Sequence, residues 1–170
     1  MIQIILKALQ KIAEKPQPVY IGEGEFNNFS VQLKPGISPQ ILTDREKCLS
    51  FPLPSDYIEF LKISNGVIFY DYGGTSLDSL ENSWNFTQAM EYTDGIIQIG
   101  SFLGSSIVMN CKEIHTEKYL YAGDEGSCDD FIPLNENFTG FLDNLLKFHA
   151  SVYWEWTNYG EIKKYNFGKY

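Results

Sequence analysis

Histidine, cysteine and cationic side chains are scarce in this sequence, and each scarcity narrows what the chain can do. Among 170 residues there are two histidines, His115 and His149, so acid–base chemistry at neutral pH has few candidate carriers. His149 keeps step with the apolar face of a C-terminal helical pattern, which is a packing role. His115 lies in a polar stretch, Glu113 to Lys118, that reads as a turn between strands. The three cysteines, Cys48, Cys111 and Cys128, are far apart. An odd number with no Cys-x-x-Cys spacing fits neither a disulfide framework nor a zinc ribbon. No run approaches the roughly 20 apolar residues of a membrane span. Gly73-Gly74 and Gly100-x-x-x-Gly104 lack the lysine of a phosphate loop and are turn chemistry. No catalytic residue, metal ligand set or cofactor is assigned.

The missing cations are concentrated in one block. Residues 1–80 carry seven Lys/Arg against nine Asp/Glu, a net of −2. Residues 81–143 carry only Lys112 and Lys118 against eleven acids, a net of −9, and residues 144–170 carry four Lys against two Glu, a net of +2. Nucleic-acid binding needs clustered Lys and Arg for phosphate contacts, so it is not expected. A basic partner is the natural complement of the acidic block.

Aromatic residues are abundant: twelve Phe, eleven Tyr and three Trp, 15% of a chain that is 44% hydrophobic. That load makes a globular domain with a continuous core, and some rings are expected to remain partly exposed. Trp84, Trp154 and Trp156 read as core or as interface anchors.

Met1 to Lys15 resembles a secretion signal superficially. However, Lys7 and Lys11 interrupt it, no cationic region precedes it, and Pro16 follows without a small-residue cleavage site. Ile2, Ile5, Leu6, Leu9, Ile12 and Ala13 keep helical spacing instead, so an amphipathic helix of the fold is expected and the location is read as cytoplasmic. Without an export signal, the sequons at Asn28, Asn85 and Asn137 are coincidental.

A second helix is expected over Ser38–Leu49, with Ser38 as cap, Pro39 at its first position, and Ile41, Leu42, Arg45, Cys48 and Leu49 along one side. Phe51-Pro52-Leu53-Pro54 breaks it. A third helix opens at Ser55 or Asp56 and stops at Asn65-Gly66, where Gly66 takes a left-handed conformation. Short β-rich runs follow at Val67–Tyr70, Ile96–Ile99, Ile107–Met109, Tyr119–Ala122 and Phe131–Leu134, with a short helix at Glu81–Tyr92. Phe138, Phe141, Leu142, Leu145, Leu146 and His149 mark a last helix capped by Asn137. The aromatic tail, Val152 to Tyr170, adds a strand or folds back over the sheet. Helices, then strands, then a closing helix make a single α+β domain.

The densest polar cluster is Gly123-Asp124-Glu125-Gly126-Ser127-Cys128-Asp129-Asp130. As a calcium loop its ligand spacing fails after the first positions. It reads as a Gly/Asp turn between strands, and a rigid turn is also a good place to present carboxylates to a partner.

Leu53-Pro54-Ser55-Asp56-Tyr57, then Phe60-Leu61, then Asn65-Gly66 resembles a family pattern of Leu-Pro, an aromatic, a Phe-Leu pair and a closing Asn-Gly. Tyr121 to Phe131 resembles that family's strand–turn–strand, and the helix with Phe138, Phe141 and Leu142 its closing helix. Together these resemble the SUKH superfamily, which includes fungal cell-wall-assembly regulators of the Smi/Knr type, over about residues 37–148. Helix 1–15 and the extension 152–170 lie outside the match. The resemblance implies a twisted, mainly antiparallel sheet packed by helices. It also implies an immunity protein that binds and neutralises a cognate bacterial toxin, often a nuclease and therefore basic. Asp124, Glu125, Asp129 and Asp130, with Glu136 nearby, are the expected contacts. The alternatives are a scaffold or regulator of cell-wall synthesis and, from another class, a small hydrolase using Cys or His.

Overall fold

Among the described residues, eight strands follow one another as neighbours in a single antiparallel meander, so spatial order repeats sequence order. The computed structural model describes residues 1–70, 75–157 and 164–168. The strands are β1 (Gln17–Gly22), β2 (Glu25–Leu33), β3 (Val67–Tyr70), β4 (Thr75–Leu77), β5 (Ile96–Phe102), β6 (Ser105–Asn110), β7 (Leu120–Asp124) and β8 (Ile132–Pro133). Helix α1 (Ile2–Glu14) precedes them, α2 (Pro39–Cys48) and α3 (Ser55–Ile63) join β2 to β3, and α4 (Leu80–Ala89) joins β4 to β5. Helices α5 (Phe138–Lys147) and α6 (Trp154–Thr157) follow β8. The expected α+β domain with an antiparallel sheet is the observed one.

Helices α1 to α5 lie where local signals place them, although α4 ends at Ala89 rather than Tyr92, and α6 was not anticipated. Helix α1 buries Ile5, Leu6 and Leu9 from its apolar stripe. Ser38 Oγ accepts from the Ile41 amide, Ser79 Oγ from Asn82, and Asn137 Oδ1 from Gly140, so α2, α4 and α5 each begin on a side-chain cap. Two details differ from expectation. In α2 Leu42 is buried but Ile41 points to solvent, and the side chain of Cys48 lies outside the described part. Helix α3 stops because Ser64 turns to extended backbone, its hydroxyl bonding the Lys34 and Gly66 carbonyls. Gly66 (φ +107°) acts one step later. A Cβ there would lie 2.9 Å from the Leu77 carbonyl oxygen, so only glycine lets β3 start beside β4.

Strands β1, β2 and β4 were not anticipated. Asn27-Asn28 breaks the alternation of β2, Pro18 interrupts β1, and β4 has only three residues.

One sheet face carries the main core. Val31, Val67, Phe69, Leu77, Ile97, Ile107, Met109 and Leu120 pack there with residues of α1, α3 and α5. Tyr57, Phe60, Phe138, Phe141, Phe102 and Trp154 form a chain of ring contacts through it. Each such ring is worth about 1.5–3 kcal/mol on burial. The other face carries a smaller core of Tyr92, Ile96, Val108, Tyr121, Phe131 and Phe167. The tail does fold back: Phe131 and Tyr165 exchange backbone hydrogen bonds of 2.9 and 2.8 Å, and the Thr93 amide donates to the Phe167 carbonyl. Tyr159 and Tyr170 lie outside the described residues. Among the described residues, no helix is long and apolar enough to cross a membrane.

Candidate functional site

The meander sorts its connections by end. Helices and the short turn Ile114–Thr116 occupy every second connection, so the remaining four all leave the opposite end of the sheet. Those four join β1–β2, β3–β4, β5–β6 and β7–β8. The third is tight: Phe102 lies opposite Ser105, with only Leu103-Gly104 between. Glu23-Gly24 and Leu103-Gly104 each place both residues at positive φ (52° and 84°, 48° and 88°). That is the backbone of a two-residue hairpin turn matched to strand twist.

The expected acidic cluster is the fourth connection, and it is a turn between strands as the sequence implied. Asp124 closes β7 opposite Ser105. The Glu125 amide donates to the Gly104 carbonyl at 2.8 Å, tying this loop to the neighbouring tip. Ser127 bridges it internally, its amide bonding the Asp124 carbonyl and its hydroxyl accepting from the Asp129 amide. The four acids are not equivalent. The Asp130 carboxylate pairs with Lys164 at 2.9 Å, and Asp129 accepts from the Asn166 side chain, so both hold the C-terminal segment. Asp124 and Glu125 are exposed and form no ion pair among the described residues.

Glu136 is not brought to them. It lies beyond β8 at the helical end, half-buried, accepting from Asn144 at 2.8 Å and from the Tyr153 hydroxyl. Burial raises its pKa, and the hydrogen bonds from Tyr153 and Asn144 partly offset this.

The same turn-bearing end holds exposed apolar groups that sequence reasoning did not locate. Tyr20, Phe26, Tyr70 and Leu103 are 60%, 68%, 50% and 51% exposed. A signal existed in Tyr-Ile-Gly-Glu-Gly-Glu-Phe, a Gly-x-Gly flanked by Tyr20 and Phe26, but nothing in it says which side of a sheet the rings will face. Trp84 is half-buried and Trp154 buried, while the side chain of Trp156 lies outside the described part.

The cysteines and histidines that the hydrolase alternative would need are dispersed among the described residues. Cys111 is buried in the main core, its thiol pushed up to about 12 by burial. Cys128 is half-buried with its Sγ 3.0 Å from the Met90 carbonyl oxygen. His115 sits exposed on the short turn, and His149, just past α5, stands edge-on to Phe29 at 5.3 Å. Among the described residues no three His, Cys, Asp or Glu side chains are grouped to hold a metal.

The residues that resembled a family motif form a structural clamp at the helical end. Asp56 in the first turn of α3 accepts from Tyr119 and from Thr139 at the start of α5, and Asn65 Oδ1 accepts from the Leu80 amide at the start of α4. Comparison with known proteins agrees with the motif. The sequence model of the SMI1 / KNR4 family (SUKH-1) matches residues 36–144, from just before α2 into α5. The chain is 32% identical over 132 residues to the uncharacterized protein YnaB of Bacillus subtilis (strain 168), covering 76% of this chain and 90% of that one. It is 29% identical over 121 residues to the uncharacterized protein YobM of the same strain, covering 63% of this chain and 64% of that one.

Proposed function

Because this chain belongs to the SMI1 / KNR4 family (SUKH-1), we propose that it is an immunity protein, binding and neutralising a cognate bacterial toxin in the cytoplasm rather than catalysing a reaction. The toxin is a basic protein, in the simplest case a nuclease, whose own groove must be cationic to hold nucleic acid. The observation that carries the reading is the pair Asp124 and Glu125, exposed and without an ion pair among the described residues, on a loop hydrogen-bonded to its neighbouring hairpin. Carboxylates held on a rigid turn keep their field fixed in space. They raise the encounter rate with a basic surface without an ordering cost at contact. Asp129 and Asp130 add to that field while holding the tail in place.

The gene beside this one is expected to encode the toxin. Co-expression should restore growth, and the two products should co-purify. Asp124→Lys with Glu125→Lys should slow association about tenfold at low salt, with a smaller effect at high salt, while dissociation changes little. A harmless neighbour, or one that kills despite co-expression, removes the immunity reading. Unchanged association kinetics remove the acidic loop from it.

A further inference from the structure

The β1–β2 ribbon leaves the body of the sheet. Strand β3 pairs with Ser30–Leu33 of β2, whereas β1 pairs with Glu25–Phe29 beyond it. Alternation divides the ribbon's faces. Phe29 and Val31 turn into the main core. Phe26, Asn28, Ser30 and Gln32 turn the other way, with Tyr20 directly opposite Phe26 and Tyr70 directly opposite Ser30. The rings are pre-set. Tyr20 and Phe26 meet edge-to-face at 5.5 Å, the Tyr20 hydroxyl accepts from the Gly24 amide, and the Tyr70 hydroxyl donates to Gln32 at 2.6 Å.

We propose that this aromatic face is a docking surface for a basic protein that presents arginine side chains to Tyr20, Phe26 and Tyr70. That the protein is a toxin rests on the reading above; the surface and its chemistry do not. Charge selects the occupant. The segments 21–26, 103–104 and 124–131, which connect strands at this end, contain six acids and no Lys or Arg, and Lys164 reaches only Asp130 from the C-terminal segment. A second copy of the chain would set Glu23 and Glu25 against their own kind, whereas a cationic partner gains at Glu23, Glu25, Asp124 and Glu125, which are exposed and form no ion pair among the described residues. Among cations a guanidinium is favoured, because it stacks on a ring while its edge bonds a carboxylate, which a lysine ammonium cannot do. Docking uses the face rather than strand addition. Pro18 removes a backbone donor from edge strand β1, and at the far edge Phe131 is already bridged to Tyr165. Leu103, exposed at a neighbouring tip, supplies an apolar contact beside the acids. Rings within a charged rim are the usual anatomy of an interface hot spot.

The full-length, 15N-labelled chain is titrated with oligoarginine and oligolysine peptides of equal length. Amide resonances of 20–26 and Tyr70 should shift saturably, with arginine bound about fivefold tighter than lysine. Tyr20→Ser with Phe26→Ser, which removes one exposed cross-strand ring pair and should leave the chain folded with only a small drop in melting temperature, should abolish the preference. Asp124→Lys with Glu125→Lys should weaken both peptides and keep it. Shifts confined to 124–130, no preference for arginine, or a preference that survives the double serine variant overturn the proposal. Concentration-dependent shifts of 20–26 without peptide overturn it in favour of self-association. Growth protection separates the two readings. A chain that passes the peptide test but does not protect defeats only the immunity role, and protection unaffected by the serine variant defeats only the ribbon.

Discussion

Replacing Asp56 by alanine removes the acceptor on which two helices meet. Its Oδ1 accepts from the Tyr119 hydroxyl at 2.6 Å and its Oδ2 from the Thr139 amide and hydroxyl at 2.8 and 2.9 Å. Tyr119 in turn accepts from the Phe138 amide at 3.0 Å, so the first turns of α3 and α5 share one carboxylate. Alanine leaves the Thr139 amide and the Tyr119 hydroxyl without that partner, at about 1–3 kcal/mol each. Loss of a negative group at the start of α5 adds about 0.5 kcal/mol. Asp56 is only half-buried, so water replaces part of this. The expected loss is about 3–4 kcal/mol, measured by urea unfolding followed through tryptophan fluorescence with an unchanged m-value. Thr139→Val, which keeps the backbone donor, should cost about 1 kcal/mol. Added to Asp56→Ala it should cost almost nothing more, because its partner is already gone. A loss below about 1.5 kcal/mol for Asp56→Ala, or full additivity of the two variants, would refute the clamp.

Two further expectations concern titratable groups. Burial raises the pKa of Asp78, partly offset by Lys34, and its Oδ2 has no hydrogen-bond partner. The folded state therefore holds this proton to higher pH than the unfolded chain, and stability falls as pH rises through that interval. Asp78→Asn should raise the urea midpoint at pH 7, with the gain fading as pH falls toward about 4; a less stable variant at pH 7 would show that the carboxylate is needed. Cys111, with its thiol pushed up to about 12, should escape iodoacetamide at pH 8 until denaturant is added, as quantified by peptide mass spectrometry. Rapid native modification would reopen a cysteine nucleophile.

Helices α1, α2 and α5 were legible because their signals are local. An apolar stripe, Pro39 after a capping Ser38, and Asn137 three residues before Gly140 all act within a turn or two of chain. The same holds for the Gly/Asp turn at 123–130, whose carboxylates are neighbours in sequence. Strands β1, β2 and β4 were hidden because their pairing is remote. The two halves of β2 bond different strands, and three residues of β4 become a strand only between β3 and β5.

Composition and the order of charges along the chain determined that it carries an acidic block and more aromatic side chains than a core of ordinary make-up requires. Residue order determined the motif of Leu53 to Gly66 and, with it, the family and the α+β class. Only the tertiary structure decided which acids are available. Lys164 and Asn166 engage Asp130 and Asp129 from more than thirty residues away in sequence, and Tyr153 with Asn144 holds Glu136 at the opposite end. It also decided which rings face water. Phe26 and Phe29 are alike in sequence and three residues apart, yet one is exposed and the other buried, because a strand sends odd and even positions to opposite faces and only one of those faces is covered.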